Sequence, residues 1–398
     1  MADIRQYRKE KENMEKEHEE DYEKKLRVHR IKLTRTILII TSVAILAVLI
    51  ISLVRHKSNY TGYKVESRMR REESGFAEYI SFGNRIVRCS KDGIAAFSYQ
   101  GEQLWNSTYE VNNLTVDYSG SYLAVADLNG NKIYTFDSNG YIADINTALP
   151  ILQISVSKSG YVVAVLEDKN ADYINMYTME GEKAYTIKKT IGIDGVPLSV
   201  SVSDDREKLV AAFTGIDGNS FKTSVVFYNF NEVGQNENER VVGGYDYGDV
   251  LVGKVEFINS STVVAYAENK VSVYNIKEYP ELVREIDIDY NIEYIFSGSS
   301  YFGLVHRDDN SDKNILEVYN TSGNLVYSEK YDKSFTSYKF SGDNILLYSE
   351  TEFMLSTLKG KIKYRDTFEE GISNIIPVNG KDEFIYINRD YVKKIKLK

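Results

Sequence analysis

An uncharged stretch of eighteen residues, 37–54, limits the folds open to this chain more than any other feature. Only Thr41, Ser42 and Ser52 interrupt its apolar residues. A helix that rises about 1.5 Å per residue covers roughly 27 Å over this length, close to the thickness of the hydrocarbon core of a bilayer. Helices of soluble domains rarely stay apolar on every side for so long. The stretch therefore predicts a single transmembrane helix over residues 37–54.

Basic residues flank the predicted span, and their balance indicates its orientation. Within fifteen residues of the span there are six Lys and Arg residues on the amino side and four on the carboxyl side. The more basic side usually stays in the cytoplasm, and a short charged tail stays behind more easily than a large domain. No small-residue cleavage site follows Val54, so the span is interpreted as a retained signal anchor. The sequence predicts a single-pass cell-membrane protein with a cytoplasmic amino terminus and an extracytoplasmic carboxyl domain.

The two ends of the chain differ in charge. Residues 1–35 carry eleven basic and nine acidic residues, which leaves 38 basic and 49 acidic residues, a net charge of −11, for residues 55–398. Nucleic-acid binding requires a basic surface, so an acidic domain of this kind is not expected to bind DNA or RNA. The partner that hydropathy indicates directly is the lipid bilayer, reached through residues 37–54. Cys89 is the only cysteine, which excludes an intramolecular disulfide.

A glycine four positions after an aromatic residue recurs along the chain from about residue 75. The pairs are Phe97/Gly101, Phe136/Gly140, Tyr177/Gly181 and Tyr319/Gly323, with degenerate copies at Tyr228/Gly234 and Ser356/Gly360. The spacing of these glycines lies near the length of a four-stranded propeller blade, about 40–50 residues, once a missing copy near Tyr274 is allowed for. The repeat therefore predicts an all-β propeller.

Two kinds of strand alternate within each repeat. Short apolar runs, such as YLAVA at 122–126 and YVVAV at 161–165, are typical of strands buried on both faces. A second, more alternating strand follows, and the glycines of Asn129-Gly130 and Asn139-Gly140 are expected to supply positive φ angles in tight turns. The second kind is predicted eight times, near Ala95, Tyr134, Tyr177, Phe227, Val273, Val318, Leu355 and Val392. Eight blades are therefore favoured, with seven as the alternative.

The eighth repeat ends at the carboxyl terminus before an outermost strand can form. Either the segment 60–65 pairs with the strand at 391–396 and closes the ring, or Lys393, Lys394 and Lys396 guard a free edge. The predicted domains are a charged cytoplasmic helical tail at 1–36, the transmembrane helix at 37–54, a juxtamembrane linker or closing strand at 55–75, and the β-propeller at 76–398. In the tail, acidic residues stand four positions before basic ones, as at Glu12/Lys16, and favour a solvated helix. A partner-docking helix is the alternative.

Three strings carry a family resemblance: DGIAAF at 92–97, GEQLWN at 101–106 and VDYSGSYLAVAD at 116–127. They resemble quinoprotein-like and YVTN-like propellers. The chain as a whole is similar to an uncharacterised family of single-pass, membrane-anchored propellers of clostridial-type Gram-positive bacteria. The resemblance implies a fold and a topology but no catalytic residues. The chain departs from quinoprotein dehydrogenases, which repeat tryptophan motifs, because it has one Trp.

Several strings resemble known sites without meeting their requirements. The segment 308–312, DDNSD, spaces Asp308, Asn310 and Asp312 like calcium ligands, but it lacks the glycine and the distal glutamate of an EF-hand and reads as a polar turn. Residues 127–131, DLNGN, read as a turn too. The segment 90–93, SKDG, matches only the start of a sialidase box. The four histidines, His18, His29, His56 and His306, are scattered, and His306 is expected near the end of a strand. The sequence predicts no catalytic, cofactor-binding or metal-ligating residue and no cofactor.

These observations together favour a binding function over an enzymatic one. The predicted function is a membrane-tethered extracytoplasmic propeller that binds, or acts as a scaffold for, a protein, a peptide or a cell-wall ligand. Two alternatives remain open at this level: a ligand-sensing module that signals through the amino-terminal tail, and a propeller enzyme.

Overall fold

The structure, a computed structural model, describes residues 33–43, 45–46, 59–71, 77–218, 220–378 and 382–398. The chain divides into two compact units, Met1–Asn59 and Tyr60–Lys398. In the first unit, residues 33–43 and 45–46 are helical. The rest of the predicted tail and transmembrane helix, at 1–32, 44 and 47–54, lies outside the described residues, as do His18, His29 and His56. Among the helices that are described, none combines the length and the apolar character needed to cross a membrane.

The second unit is an eight-bladed propeller, and every blade is an antiparallel sheet of four strands. The first strand, β1, spans Tyr63–Arg70. Blade 1 consists of β2 (Ala77–Phe82), β3 (Arg85–Ser90), β4 (Gly93–Phe97) and β5 (Gln103–Thr108). Blade 2 consists of β6 (Leu114–Ser119), β7 (Tyr122–Asp127), β8 (Lys132–Asp137) and β9 (Gly140–Asn146). Blade 3 consists of β10 (Ile151–Val156), β11 (Tyr161–Leu166), β12 (Ala171–Thr178) and β13 (Lys183–Thr190).

The remaining blades follow the same order along the chain. Blade 4 consists of β14 (Val196–Val202), β15 (Lys208–Asp217), β16 (Ser220–Asn229) and β17 (Val241–Gly248). Blade 5 consists of β18 (Val252–Phe257), β19 (Thr262–Ala267), β20 (Lys270–Ile276) and β21 (Pro280–Asp287). Blade 6 consists of β22 (Ile292–Ser297), β23 (Tyr301–Arg307), β24 (Lys313–Asn320) and β25 (Leu325–Asp332). Blade 7 consists of β26 (Ser337–Ser341), β27 (Asn344–Tyr348), β28 (Glu352–Thr357) and β29 (Ile362–Thr367). Blade 8 consists of β30 (Asn374–Pro377), β31 (Glu383–Ile387), β32 (Tyr391–Leu397) and β1.

The predicted all-β fold and the count of eight blades are confirmed. Each of the eight alternating strands predicted from the sequence is the third strand of a blade, and each apolar run is a second strand. The second strands are buried on both faces because the core lies between stacked blades. Residues of blades 3 and 4 share one such cluster, for example Val163 and Ile174 with Val200 and Leu209. Two short helices, Ile191–Asp194 and Glu232–Gln235, and a 3-10 turn at Asn238–Arg240 interrupt the strands of the described propeller.

The turn glycines follow the repeat with two exceptions. Gly101, Gly140, Gly181, Gly323 and Gly360 all have positive φ angles, as their turns require. The positive φ expected at Gly130 is wrong, because Asn129 takes it, at 62°. Gly130 is needed for space instead, since a Cβ there would stand 2.4 Å from the Asp127 carboxylate. Gly234 lies in the short helix that lengthens the last connection of blade 4, so this degenerate copy is not a hairpin turn.

The ring is closed by a strand from the amino-terminal side of the propeller. β1 pairs antiparallel with β32 from Tyr63↔Leu397 to Arg70↔Tyr391, with a bulge between Val65 and Ser67. β1 is therefore the outermost strand of blade 8. Of the two predicted alternatives, the structure contains the one in which the segment 60–65 pairs with the last strand. The closing strand is longer than that segment. β32 gains a neighbour on each side, so it has no free edge.

The lysines of β32 make ion pairs and do not guard an edge. Lys394 Nζ lies 2.9 Å from a carboxylate oxygen of Glu66 on β1 and 2.8 Å from one of Glu383 on β31. Lys396 also pairs with Glu383, at 2.9 Å, and Lys393 pairs with Glu370. Hydrogen bonds from Lys394 and Lys396 hold the pKa of the Glu383 carboxyl below its usual value. The pair between Lys394 and Glu66 joins β32 to β1, across the seam where the two ends of the propeller meet.

Candidate functional site

The first strands of the blades surround the propeller axis, and on one side of the ring they are tied together. Ser199 Oγ accepts a hydrogen bond from Val255 N at 3.1 Å, and Ser201 Oγ accepts one from Phe257 N at 3.0 Å. Gln153 brackets the backbone of the next strand, because its amide donates to Val200 O at 3.1 Å and accepts from Val200 N at 3.0 Å. The inner edge of a blade would otherwise expose unpaired backbone groups. Short polar side chains of β10 and β14 therefore close the ring tightly between blades 3, 4 and 5.

Asp117 makes the corresponding link from blade 2 to blade 3. Its carboxylate accepts a hydrogen bond from Val156 N at 2.6 Å. Burial raises the pKa of the Asp117 carboxyl to about 6, although this hydrogen bond acts in the opposite direction. On β18, Lys254 pairs with Glu256 at 2.8 Å, and Ser297 of β22 donates to Glu256 at 2.5 Å. Charged groups therefore face the axis from several blades.

The opposite side of the ring opens into a cavity of about 590 Å³. First strands of five blades line it, from β2, β6, β22, β26 and β30, and we call it the axial cavity. Its wall includes the aromatic residues Tyr79, Tyr118, Phe296, Tyr338 and Phe340 and the polar residues Glu78, Ser81, Ser297, Lys339 and Asn374. The hydrogen bonds that tie blades 3, 4 and 5 together lie on one side of the ring and the cavity lies on the other, so the ring is asymmetric.

Lys339 is the cation of the axial cavity. Its ammonium donates to Asn374 Oδ1 at 2.7 Å and to Ile375 O at 3.0 Å, and it lies 5.4 Å from the centre of the Tyr348 ring. Burial lowers the pKa of the Lys339 ammonium to about 8, and the charge of Glu78 opposes that shift. Burial likewise raises the pKa of the Glu78 carboxyl, and Lys339 opposes it. The two side chains act on each other through space across the same cavity.

A second surface feature lies on blade 4. The hairpin of β15 and β16 continues to the pair Asp217↔Ser220, whereas β14 pairs with β15 only as far as Thr214, and β17 pairs with β16 only as far as Thr223. The part of the hairpin beyond those neighbours, 215–218 and 220–222, projects from the sheet, and we call it the projecting hairpin. It borders a cavity of about 580 Å³ that the short helix Ile191–Asp194 also lines.

The strings that resembled sites have structural roles in the folded chain. Asp127 accepts hydrogen bonds from Asn112 N at 2.9 Å and Asn113 N at 2.8 Å, so it organises a loop. Ser90 closes a turn by donating to Gly93 O at 2.9 Å. His306 is the penultimate residue of β23, as expected, and stacks on Tyr290 with the ring centres 3.5 Å apart.

The polar turn 308–312 does not gather its acids around one point. Asp308 receives hydrogen bonds from Lys330, at 2.6 Å, and from Ser311, and these hold the pKa of its carboxyl down at about 2. Asp312 turns to Lys333, at 2.6 Å. Across the part of the chain that the structure describes, no three His, Cys, Asp or Glu side chains are grouped so that they could hold a metal ion.

The charged residues that face the propeller axis were not predicted from the sequence, although their positions in the repeat could have indicated them. Glu78, Asp117, Glu256 and Lys339 are charged residues inside short strands that otherwise carry many apolar residues. Each stands shortly before the buried run of its blade. A charge at that position of a repeat points towards the axis, but the repeat does not reveal which charges meet across the ring.

Comparisons with known proteins agree with this geometry. The solved structure of BamB from Moraxella catarrhalis is similar, with a TM-score of 0.53 and 10% identity over 84% of this chain and 100% of that one. Sqt1 of Saccharomyces cerevisiae has a TM-score of 0.54 and 11% identity over 85% of this chain and 99% of that one. The Dos1 propeller has a TM-score of 0.55 and 10% identity over 84% of this chain and 95% of that one. At such low identities these likenesses concern the fold alone.

Comparisons of sequence, unlike those of structure, show whether the chain belongs to a known family. No curated protein matches the sequence. A family model does match, over residues 55–397, and it covers the propeller from before β1 to the end of β32. The expectation of an uncharacterised propeller family is therefore confirmed at the level of family and fold. The chain belongs to DUF5711, a family of unknown function.

Proposed function

We propose that this chain is a membrane-tethered, extracytoplasmic binding module that docks a partner protein through the projecting hairpin of blade 4. One observation carries the proposal. Among the described residues of the propeller, the three most exposed large apolar side chains are Ile193 (85% exposed), Ile216 (77%) and Phe221 (67%). All three belong to the projecting hairpin and the short helix beside it.

These side chains form one surface. Ile216 and Phe221 are directly paired across the hairpin, so they point to the same side of it. Ile193 and Ile216 line the same cavity. Isolated exposed apolar residues are ordinary, but a cluster on a projecting element is typical of an interaction site. Burying such side chains on a partner stabilises a complex by about 1.5–3 kcal/mol each when burial is complete.

A folded partner protein suits this surface better than a peptide or a wall polymer. Projecting Ile and Phe side chains insert into apolar pockets, which folded proteins present and hydrated polymers do not. Within the described chain, residues 215–217 and 220–222 pair only with each other, so the hairpin also offers strand edges to a partner. Lys222 and Asp246, 3.9 Å apart, supply polar groups at the rim.

The tether is proposed from the apolar stretch 37–54 and its basic flanks. In the helical residues 33–43 and 45–46, eight large apolar side chains are each more than half exposed: Leu33, Ile37, Leu38, Ile39, Ile40, Val43, Ile45 and Leu46. A bilayer would remove this apolar surface from water. The six Lys and Arg residues within fifteen positions before the stretch, against four after it, and the large size of the domain that follows favour a propeller outside and a tail inside. The same proposal includes a clostridial-type bacterium as the source, with the protein anchored in its cell membrane.

Thiol labelling of intact cells tests the orientation. In a Cys89→Ala background, Ser300→Cys should react with a membrane-impermeant maleimide, because Ser300 lies in an exposed turn of the propeller. Ala2→Cys should react only after the cells are permeabilised. Labelling of Ala2→Cys in intact cells, with protection of Ser300→Cys, would reverse the orientation. Recovery of the protein in the soluble fraction would exclude the tether.

Site-specific crosslinking tests the docking surface. A photoreactive phenylalanine analogue at Phe221 of the full chain should form one discrete covalent adduct in native membranes, and the same analogue at Leu325 of β25 should not. Ile193→Ser with Ile216→Ser should remove the adduct and weaken binding of the purified, identified partner by about tenfold or more.

The matched control alters two exposed apolar residues on another blade. Leu325→Ser with Val326→Ser removes side chains from the outer strand of blade 6 and should leave both the adduct and the affinity unchanged. If the blade 4 and blade 6 variants bind the partner equally well, the projecting hairpin is not the docking surface.

A further inference from the structure

The axial cavity has the size and the wall of a small-molecule site, and it is separate from the projecting hairpin. Its volume of about 590 Å³ falls within the range of about 300–1,000 Å³ that is common for ligand pockets. Five blades contribute to it, so its shape is fixed by the ring and not by a single loop. Polar groups supply most of the exposed wall, and aromatic rings stand between them. A wall of this kind favours a ligand that carries charged groups of its own beside an apolar part.

Lys339 is held in place but not neutralised. An ammonium has three N–H donors, and two of those of Lys339 go to the neutral oxygens Asn374 Oδ1 and Ile375 O. No carboxylate in the described parts of the chain lies within ion-pair distance of Lys339. A partly buried cation without a counter-ion is costly. An anionic group of a ligand would remove that cost.

Glu78 is the complementary group on the same cavity. It lies on β2, and its carboxylate makes no hydrogen bond or ion pair with any residue among those the structure describes. Burial around it raises the pKa of its carboxyl, and the charge of Lys339 lowers it. The cavity therefore presents one acceptor carboxylate and one donor ammonium that are not bonded to each other. A ligand with both an ammonium and a carboxylate would satisfy both.

The aromatic part of the wall gives such a ligand a place for its side chain. The Tyr118 ring is 43% exposed and lies against Phe82 at 6.4 Å, edge to face. Phe296 and Phe340 pack with ring centres 4.6 Å apart on the side of blades 6 and 7. Apolar surface that already faces a cavity gains from being covered by an apolar side chain.

We propose that the axial cavity binds a small zwitterion with an apolar side chain, an amino acid or a dipeptide, whose carboxylate meets Lys339 and whose ammonium meets Glu78. Asn374, already bonded to Lys339 and to Tyr348 OH at 2.9 Å, positions the lysine and is not itself a ligand contact. The proposal is independent of protein docking at blade 4. It gives the propeller a small-molecule ligand in addition to a protein partner.

Titration calorimetry on the full-length protein in detergent tests this. The probes are the proteinogenic amino acids, with dipeptides of leucine, phenylalanine and alanine, followed by the N-acetyl and carboxamide derivatives of the best binder. We expect saturable binding of an apolar zwitterion. Each blocked derivative should bind with an affinity lower by about tenfold or more, because each loses one charge-assisted hydrogen bond.

Two variants assign the contacts. Lys339→Met should abolish the preference for a free carboxylate, and Glu78→Gln should abolish the preference for a free amine. Lys270→Met is the matched control, because it removes a lysine of blade 5 that already has an ion-pair partner, Glu285, and that does not line the cavity; binding should be unchanged. Glu78→Gln alters an exposed side chain, so it remains informative even if Lys339→Met fails to fold.

Three results would overturn the proposal. They are the absence of binding by every probe at millimolar concentration, equal binding of the zwitterion and its blocked derivatives, and saturable binding of a neutral sugar such as glucose in place of the zwitterions. Unchanged affinity in a folded Glu78→Gln variant would remove Glu78 from the site.

Discussion

Deletion of residues 391–398 should prevent the propeller from folding. The deletion removes β32, which is hydrogen-bonded to β31 on one side and to β1 on the other. It takes away Val392, Ile395 and Leu397, all of them almost fully buried, and each contributes about 1.5–3 kcal/mol. It also leaves β1 without a partner and bares an edge of β31. The total loss is comparable with the whole stability of a typical domain, about 5–15 kcal/mol.

The measurement is the yield of soluble, protease-resistant protein together with its thermal unfolding by circular dichroism. A converse variant keeps the strand and strengthens the seam. Lys64→Cys with Lys396→Cys places thiols at directly paired positions of β1 and β32, where the Cα separation of about 4.5–5.5 Å suits a disulfide. Oxidation should stabilise the propeller by up to roughly 6 kcal/mol in the loop-closure model. If the truncated chain melts like the full one, β32 is dispensable and the seam does not hold the ring.

Phe353→Ala should lower the free energy of unfolding by about 3–5 kcal/mol. Phe353 is fully buried between blades 7 and 8, and its ring contacts those of Tyr364, Phe368 and Phe384. Truncation to alanine leaves a cavity among rings that are fixed by two sheets, so the gap cannot close by a local shift.

Phe221→Ala is the matched control for that measurement. It makes the same chemical change at a side chain that is mostly exposed, so it should change stability by no more than about 0.5 kcal/mol. Both values come from urea unfolding followed by circular dichroism at neutral pH. An equal effect of the two substitutions would mean that the space between blades 7 and 8 is not a tightly packed core.

The repeat made most of the fold predictable. The third strands were found because alternation and a terminal glycine recur, and both signals are local. The second strands were found because burial on both faces leaves a continuous apolar run, as in β19, where all six residues are buried. Because the eighth repeat ends early, the sequence left two alternatives for the last strand: pairing with segment 60–65, or a free edge protected by lysines. Local pattern could not choose between them, since the choice depends on contacts between residues more than three hundred positions apart.

Other features were beyond local pattern. The Asn-Gly turn at 129–130 was recognised, but which residue takes the positive φ depends on the contact between Gly130 and Asp127. The axial cavity depends on contacts between blades: hydrogen bonds of serine and glutamine join β10, β14 and β18, whereas aromatic residues of β2, β6, β22 and β26 line the opposite side of the ring. The projecting hairpin is visible only when its length is compared with that of its neighbours in the sheet.

The pairing of β1 with β32 also determines when, during synthesis, the propeller can complete its folding. β1 is among the first parts of the propeller to be synthesised and β32 is the last, and neither is complete without the other. At about 5–20 residues per second, the first strand waits on the order of half a minute for its partner. During that interval the face of blade 1 that packs against blade 8 in the finished ring has nothing to cover it. A stop codon in the last few positions should therefore be as damaging to this propeller as one near its beginning.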